Sequence, residues 1–529
     1  MAVSADAHKR SDYIYRRALP GRPCLLSGNL TQMIIKTTNQ KSISPALRRR
    51  MALPFLLSLQ LMTGECAAIT LEELAAKVER LEAENRVLKE QMGKLTSGAP
   101  AAVVPAAATH VAAPAAVAGL AAAAAPVRAG NSVGFDGKLS FQMLDPTTDI
   151  NRKQLLLLDA RRRGELPDSS LTLGGAITAV VDRQSTSTNG SFGYLMRQPG
   201  NAIGRSASEA VIHSAQLGLT ATIGTWVTAY SELLYGPSQS FAAGINTAET
   251  RNQVQLRSGY VVLGNLDRSP FYASIGKMAT PFGLTDTVSP FSASTVWHAF
   301  GGLANGLQGG YSSGGLNASL MAVQGGAQFR GANTPVDGTN VPSKLNNLAI
   351  DASYTWNLAD TARLRTGASY ERGSSYCQPF PVSHFGVCQT NNPAYDLYAR
   401  MKSERWTLQA EYARTANPWP GTFNPALPQF TASKVTSWGL GGRYLAQFGN
   451  QNVFLSAEAS RLVSGPGGAP WEKQDQIVLG AAAYLSPSVK LFGELVRVNG
   501  FVPMQNVGTI NANAGARSNV ILMGVNAAY

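Results

Sequence analysis

The chain has 529 residues, 15% of them charged and 44% hydrophobic, with 52 glycines and 4 cysteines. That is too apolar for a disordered chain, it contains no run of about 20 apolar residues to make a membrane-spanning helix, and it is too poor in cysteine for a disulfide scaffold. The formal net charge is +13, but residues 1–68 alone carry 10 basic and 3 acidic side chains, and the excess over 131–529 is too diffuse to imply a nucleic-acid partner.

The first segment reads as an export signal. Lys36, Lys41 and Arg48–Arg50 form a basic region, Ala52–Met62 an apolar one, and Cys66-Ala67-Ala68 supplies small residues for cleavage after Ala68. A lipoprotein reading through Cys66 is weakened by the acidic Glu65 before it. Residues 1–32 fit no signal design and read as an upstream extension, with Met33 as the working start.

Residues 69–96 carry a heptad seam. Leu71, Val78, Asn85 and Met92 occupy the a positions, and Leu74, Leu81, Leu88 and Leu95 the d positions. Lys77 and Glu82, then Glu84 and Lys89, match in sign across a parallel pair, and Asn85 is the polar a residue that fixes register. The seam is narrower than the apolar stripe of an ordinary globular helix, so the segment is expected to make a coiled-coil homo-oligomer. Residues 97–130 are almost only Ala, Pro, Val and Gly, and read as a semi-extended spacer.

From 131 to 529, period-2 segments of about ten residues recur between turn signals, as a transmembrane β-barrel requires. Trp406, Leu408, Ala410 and Tyr412 alternate with Thr407, Gln409 and Glu411. Tyr395, Leu397, Ala399 and Met401 alternate with Asp396, Tyr398, Arg400 and Lys402. A soluble sandwich would alternate too. Three features favour the membrane barrel: the number of segments, the aromatics near strand ends, and charges at neighbouring positions of the polar face, which a dry core does not tolerate. The last strand places Ile521, Met523, Val525, Ala527 and Tyr529 on one face, like the assembly signal of outer-membrane barrels. About 400 residues at roughly 25 per strand and turn give about 16 strands. That is too few for a 22-stranded energised receptor with an internal plug domain. Residues 151–163 fit neither a clean strand nor a clean helix.

Cys377 and Cys388 bracket a short loop. In an exported chain they read as a disulfide; metal binding with His384 lacks a fourth ligand. Gly310-Tyr311-Ser312-Ser313-Gly314 matches the hydrolase elbow pattern, but its flanking glycines predict a hairpin turn, and neither His213 nor His298 is tied to it by spacing. The chain is expected to have no catalytic residues and no cofactor. The polar face is more informative. Arg363, Arg365, Asp396, Arg400, Lys402, Arg405, Glu411, Arg443, Glu458, Lys490 and Glu494 are expected to line the lumen, where rings of Arg and Lys bias a pore toward anions. Asn305–Asn317, rich in glycine, reads either as a loop folded into the lumen or as a surface loop.

The coiled coil, the Ala/Pro spacer and a barrel of this length resemble the LbtU-type siderophore porin family. The segment Tyr272-Ala-Ser-Ile-Gly-Lys-Met-Ala-Thr-Pro-Phe-Gly283, with Asp286 and Pro290-Phe291 downstream, is similar to its strand followed by a Pro-Phe-Gly turn. The resemblance implies an outer-membrane barrel that passes ferric siderophores without energised machinery. Its partners would be outer-membrane lipid and the small solute, with the coiled coil in the periplasm and in reach of peptidoglycan. Two classes compete: a channel, whether selective or a general or anion-preferring porin, and a tether in which the barrel only anchors the helix.

Overall fold

The alternating segments become strands of one closed sheet. The computed structural model describes residues 132–199, 202–236, 254–325, 344–375, 390–449, 451–502 and 512–529. The export signal, the heptads, the spacer and the Cys377–Cys388 pair lie outside these residues.

Sixteen strands run antiparallel, each beside the next: β2 (Ser170–Thr186), β3 (Ser206–Ile223), β4 (Val227–Tyr235), β5 (Val254–Gly264), β6 (Phe271–Ala279), β7 (Leu303–Ser313), β8 (Leu316–Gln324), β9 (Leu345–Ala359), β10 (Ala362–Glu371), β11 (Ala394–Lys402), β12 (Trp406–Thr415), β13 (Thr436–Phe448), β14 (Gln451–Val463), β15 (Lys473–Ser486), β16 (Val489–Phe501) and β17 (Asn513–Ala528). β17 pairs back onto β2, from Ser518 opposite Thr186 to Ala528 opposite Ala176. Closure leaves no row of unpaired backbone groups, which a bilayer demands. A short strand β1 (Ser132–Phe135) runs parallel to the start of β2, at Ser170–Leu173, where β17 does not reach.

The outer face carries exposed apolar side chains, among them Ile177, Leu263, Ile275, Leu397, Leu440, Leu479, Leu495 and Met523. One end of the barrel has turns of two to six residues, and the other has connections of nine to twenty-three. Exposed aromatics band the short-turn end: Trp226, Phe271, Trp356, Trp406 and Phe448. There, Phe271 meets Tyr311 at 5.3 Å and Trp406 meets Tyr444 at 4.6 Å between ring centres. Tyr370 and Tyr395, 6.1 Å apart, mark the other end. An apolar belt between two aromatic bands is the exterior of a membrane-spanning barrel.

Two chain segments fill much of the interior. The first precedes the barrel and forms helices α1 (Gly137–Leu144) and α2 (Lys153–Arg162). Asp136 caps α1 by accepting from the Leu139 amide. Leu139, Met143, Leu155, Leu157 and Leu158 pack on Tyr230, Tyr260, Val262, Tyr272, Met321 and Val323, inward residues of β4, β5, β6 and β8. Beside β4, β5, β6 and β8 the lumen is thus a packed core. Residues 136–167, which include the segment 151–163 that the sequence left unassigned, are an internal plug. Residues 153–162 looked irregular because the Leu155–Leu158 run is buried nearly all round, which erases helical periodicity. Gly174 on β2 lets α1 lie against the wall, since a methyl there would overlap Ser140 Oγ. Lys153 fastens the plug, donating to the carbonyls of Gln142, Asp145 and Thr148 at 2.5, 3.0 and 3.0 Å. Lys153→Met would strand these carbonyls at a cost of about 2–3 kcal/mol in plug stability. Residues 136–167 should then become protease-sensitive while the barrel stays folded; a plug as protected as the native one would contradict this fastening.

The second filling segment is the connection from β6 to β7, residues 280–302, which turns inward at Pro281-Phe282-Gly283 and ends in α3 (Thr295–Phe300). The glycine-rich Asn305–Asn317 is neither a lumen loop nor a surface loop. It belongs to the β7–β8 hairpin and its Gly314-Gly315 turn.

Candidate functional site: the basic vestibule

Between the plug and the wall of β10–β16 lies a cavity of about 820 Å³ at the short-turn end. Among the described residues, nine basic and three acidic side chains line it. The wall supplies Arg363 and Arg365 (β10), Arg400 and Lys402 (β11), Arg443 (β13) and Lys490 (β16). The plug supplies Arg152, Arg162 and Arg163, with Asp145, Asp149 and Asp159.

Strand alternation and register place the wall cations. On β10 and β11 the same inward parity carries Arg363 opposite Lys402 and Arg365 opposite Arg400. Aromatic faces support several of them: Arg365 lies 5.7 Å from the Tyr398 ring centre, Arg443 5.2 Å from Phe454, and Lys490 5.5 Å from Phe141. On the plug, burial works against ionisation of Asp149. Lys402, Arg400, Arg365 and Lys153 outweigh it and hold its carboxyl at about 2. A depressed carboxyl contributes stability in full above its ordinary value of 3.8 and loses it as pH falls toward about 2, so the contribution of Asp149 to seating the plug fades over that window. Asp145 is lowered in the same way: burial raises it, but Lys490 and Lys153 prevail.

The predicted lumen residues divide into three groups. Arg363, Arg365, Arg400, Lys402, Arg443 and Lys490 line the cavity. Arg405 is exposed in the β11–β12 turn, outside it. Asp396, Glu411, Glu458 and Glu494 point inward but are covered by residues 280–302. Three of these four glutamate and aspartate side chains grip that segment's backbone. Glu411 Oε1 accepts from the Leu284 and Thr285 amides at 2.7 and 2.8 Å. Glu458 Oε2 accepts from the Val288 amide at 2.9 Å and the Thr287 hydroxyl at 2.8 Å. Glu494 Oε1 accepts from the Phe291 and Ser292 amides at 2.7 and 2.9 Å. Asp396 lies beside Glu411 under Gly283. Alternation gave these carboxylates the right face; it could not reveal a loop lying between them and the lumen.

Further fasteners went unseen in the sequence. Arg400 forms an ion pair with Asp286 of the loop, and Gln409 donates to the Asp286 carbonyl at 2.8 Å. Lys490 Nζ donates to the Pro290 carbonyl at 2.9 Å, and Gln476 to that of Ala293 at 2.8 Å. Gly441 on β13 leaves room for the loop, since a methyl there would stand 2.5 Å from Val288 Cγ2. The plug residues of the cavity were legible only as an unplaced segment. Ser312 and Ser313 stand in the β7–β8 hairpin rather than on a strand-to-helix elbow, and His298 is buried in α3.

Sheet closure, apolar belt and basic interior define a 16-stranded antiparallel transmembrane β-barrel. No family model matches the chain. A protein of Coxiella burnetii, described as a UPF0422 protein, is 30% identical over 154 residues; the match spans 27% of this chain and 31% of that protein. The anion-selective porin of Comamonas acidovorans superposes with a TM-score of 0.43 at 14% identity, covering 68% of this chain and 99% of its own. OprB of Pseudomonas putida gives 0.43 at 10% identity, covering 72% and 96%, and the DcaP channel of Acinetobacter baumannii gives 0.42 at 11%, covering 68% and 97%.

Proposed function

We propose that the chain is an outer-membrane diffusion channel that passes small solutes without energy input and prefers anions. The basic vestibule carries this reading: nine cations against three carboxylates at the short-turn end of a closed barrel. Low-dielectric walls focus that charge and concentrate anions at the cavity mouth. A cavity of about 820 Å³ has the size that accommodates drug-sized solutes. Ferric siderophore complexes bearing net negative charge fall within this class. The heptad segment at 69–96 is read as the periplasmic oligomerisation helix, with the barrel in contact with outer-membrane lipid.

The test is swelling of proteoliposomes in isosmotic solutes. Anionic solutes, including an anionic ferric siderophore, should enter faster than uncharged sugars of similar size. Failure of every solute to enter would overturn the channel. It would favour the second reading, a barrel-anchored tether to the cell wall, whose supporting observation is the degree to which plug and inward loop fill the lumen.

A further inference from the structure

The cations of β10 and β11 are arranged in a way that electrostatic attraction of a passing ion does not require. Arg365 stands directly opposite Arg400, and Arg363 directly opposite Lys402, so four like charges form a two-by-two block on one face of one strand pair. Like charges directly opposed in an antiparallel pair are destabilising. A block of this kind is tolerated where an anion shares the site.

The inward loop supplies one counter-charge: Asp286 pairs with Nη1 of Arg400. The rest of that guanidinium is left over. Arg400 is only 3% exposed, yet its Nε and Nη2 have no hydrogen-bond partner among the described residues, and neither has Nε of Arg365. The Nε–Nη2 edge is the planar fork that takes a carboxylate or phosphate through two parallel hydrogen bonds. Both guanidiniums line the vestibule.

A second carboxylate approaches the block from the plug. Asp149 is a non-glycine residue in left-handed backbone, at φ 50° and ψ 38°, and its side chain makes no capping bond to the helical turn it precedes. Such a conformation persists where surrounding contacts impose it. Asp149 lines the same cavity as the block, and the block's charges, Lys402 foremost, then Arg400 and Arg365, act on its carboxyl.

We propose that Arg363, Arg365, Arg400 and Lys402 form a binding site for a small multivalent oxyanion, a polycarboxylate or phosphate, and that Asp149 of the plug, which lines the same cavity, competes with the ligand for their charge. The site deepens the channel reading by giving its solute a station and by making the seating of the plug depend on what is bound there.

The experiment is calorimetric titration of citrate, and separately of inorganic phosphate, into the full chain in detergent at low salt. Asp149→Asn removes the competing charge while keeping a residue that tolerates left-handed backbone. Its citrate affinity should rise about tenfold over native. The double variant Arg365→Gln, Lys402→Gln leaves the Arg400–Asp286 pair intact and should bind at least tenfold more weakly. Thermal melting of each variant checks that the barrel is folded. Tighter binding of citrate identifies a polycarboxylate site, and tighter binding of phosphate a phosphate site. Binding of neither overturns the proposal, as does native affinity in Asp149→Asn. Binding needs no conduction, so the two readings separate: citrate bound without solute entry keeps the site and removes the channel, and solute entry without binding does the reverse.

Discussion

Exchanging Arg363, Arg365 and Lys402 together for glutamate is expected to reverse the ion preference of the barrel. These three side chains line the vestibule on adjacent strands, and the exchange replaces three positive charges there by three negative ones. A charge pair a few Ångströms apart near a protein surface interacts by several kcal/mol, and about 1.4 kcal/mol is a tenfold change in partition. The chloride-to-potassium permeability ratio should therefore fall by more than tenfold and cross unity. Arg400 is left in place because it holds Asp286 of the inward loop. Arg405→Glu serves as the control: its side chain is exposed in the β11–β12 turn, away from the cavity, and its exchange should leave the ratio unchanged. An unaltered ratio in the triple variant would remove the block from the conduction path.

The second large effect concerns the inward loop. Glu411, Glu458 and Glu494 stand on β12, β14 and β16, alternate strands of the wall, and accept from the loop: the 284 and 285 amides, the Thr287 hydroxyl with the 288 amide, and the 291 and 292 amides. Each carboxylate accepts at least two hydrogen bonds, and such charge-assisted bonds contribute roughly 1.5–3 kcal/mol apiece. Removing one carboxylate also leaves two or more buried donors without an acceptor. Glu458→Ala with Glu494→Ala should therefore loosen residues 287–292, between the fastened Asp286 and Ala293, while the sixteen-strand ladder persists. The expected readout is a larger, noisier single-channel conductance from a protein whose heat-modifiable migration is native. Gly441→Leu should act in the same direction by filling the space that Val288 needs. Native conductance in both variants would show that the loop does not set the width of the passage.

Much of the wall was legible because a strand has a period of two and a bilayer punishes the wrong residue on the outer face. Trp406, Leu408, Ala410 and Tyr412 stand outward on β12, and Gln409 and Glu411 inward, as their alternation implies. The last strand, with Ile521 and Met523 outward, follows the same rule. The Pro281-Phe282-Gly283 turn was legible from its residues, but not where the next twenty residues go, because a polar loop reads the same whether it meets solvent or a row of glutamates. Asn305–Asn317 misled for the opposite reason: Gly306, Gly309 and Gly310 weaken a strand's signature while still occupying one. The plug was hidden by its burial. The unbroken run Leu155–Leu158, three of whose leucines pack against tyrosines on the inner wall, blurs the spacing that would reveal the helix. The vestibule was half visible: its wall cations follow from alternation, and Asp149 and Arg152 do not, because their place depends on a segment folded back through the barrel.

The measurement that bears most directly on this account is the zero-current potential of the purified full chain in a planar bilayer under a potassium chloride gradient. The vestibule's excess of cations predicts stepwise conductance with a potential of the sign set by chloride. A barrel that conducts with the sign set by potassium would contradict the anion preference, and one that inserts without conducting would contradict the channel itself.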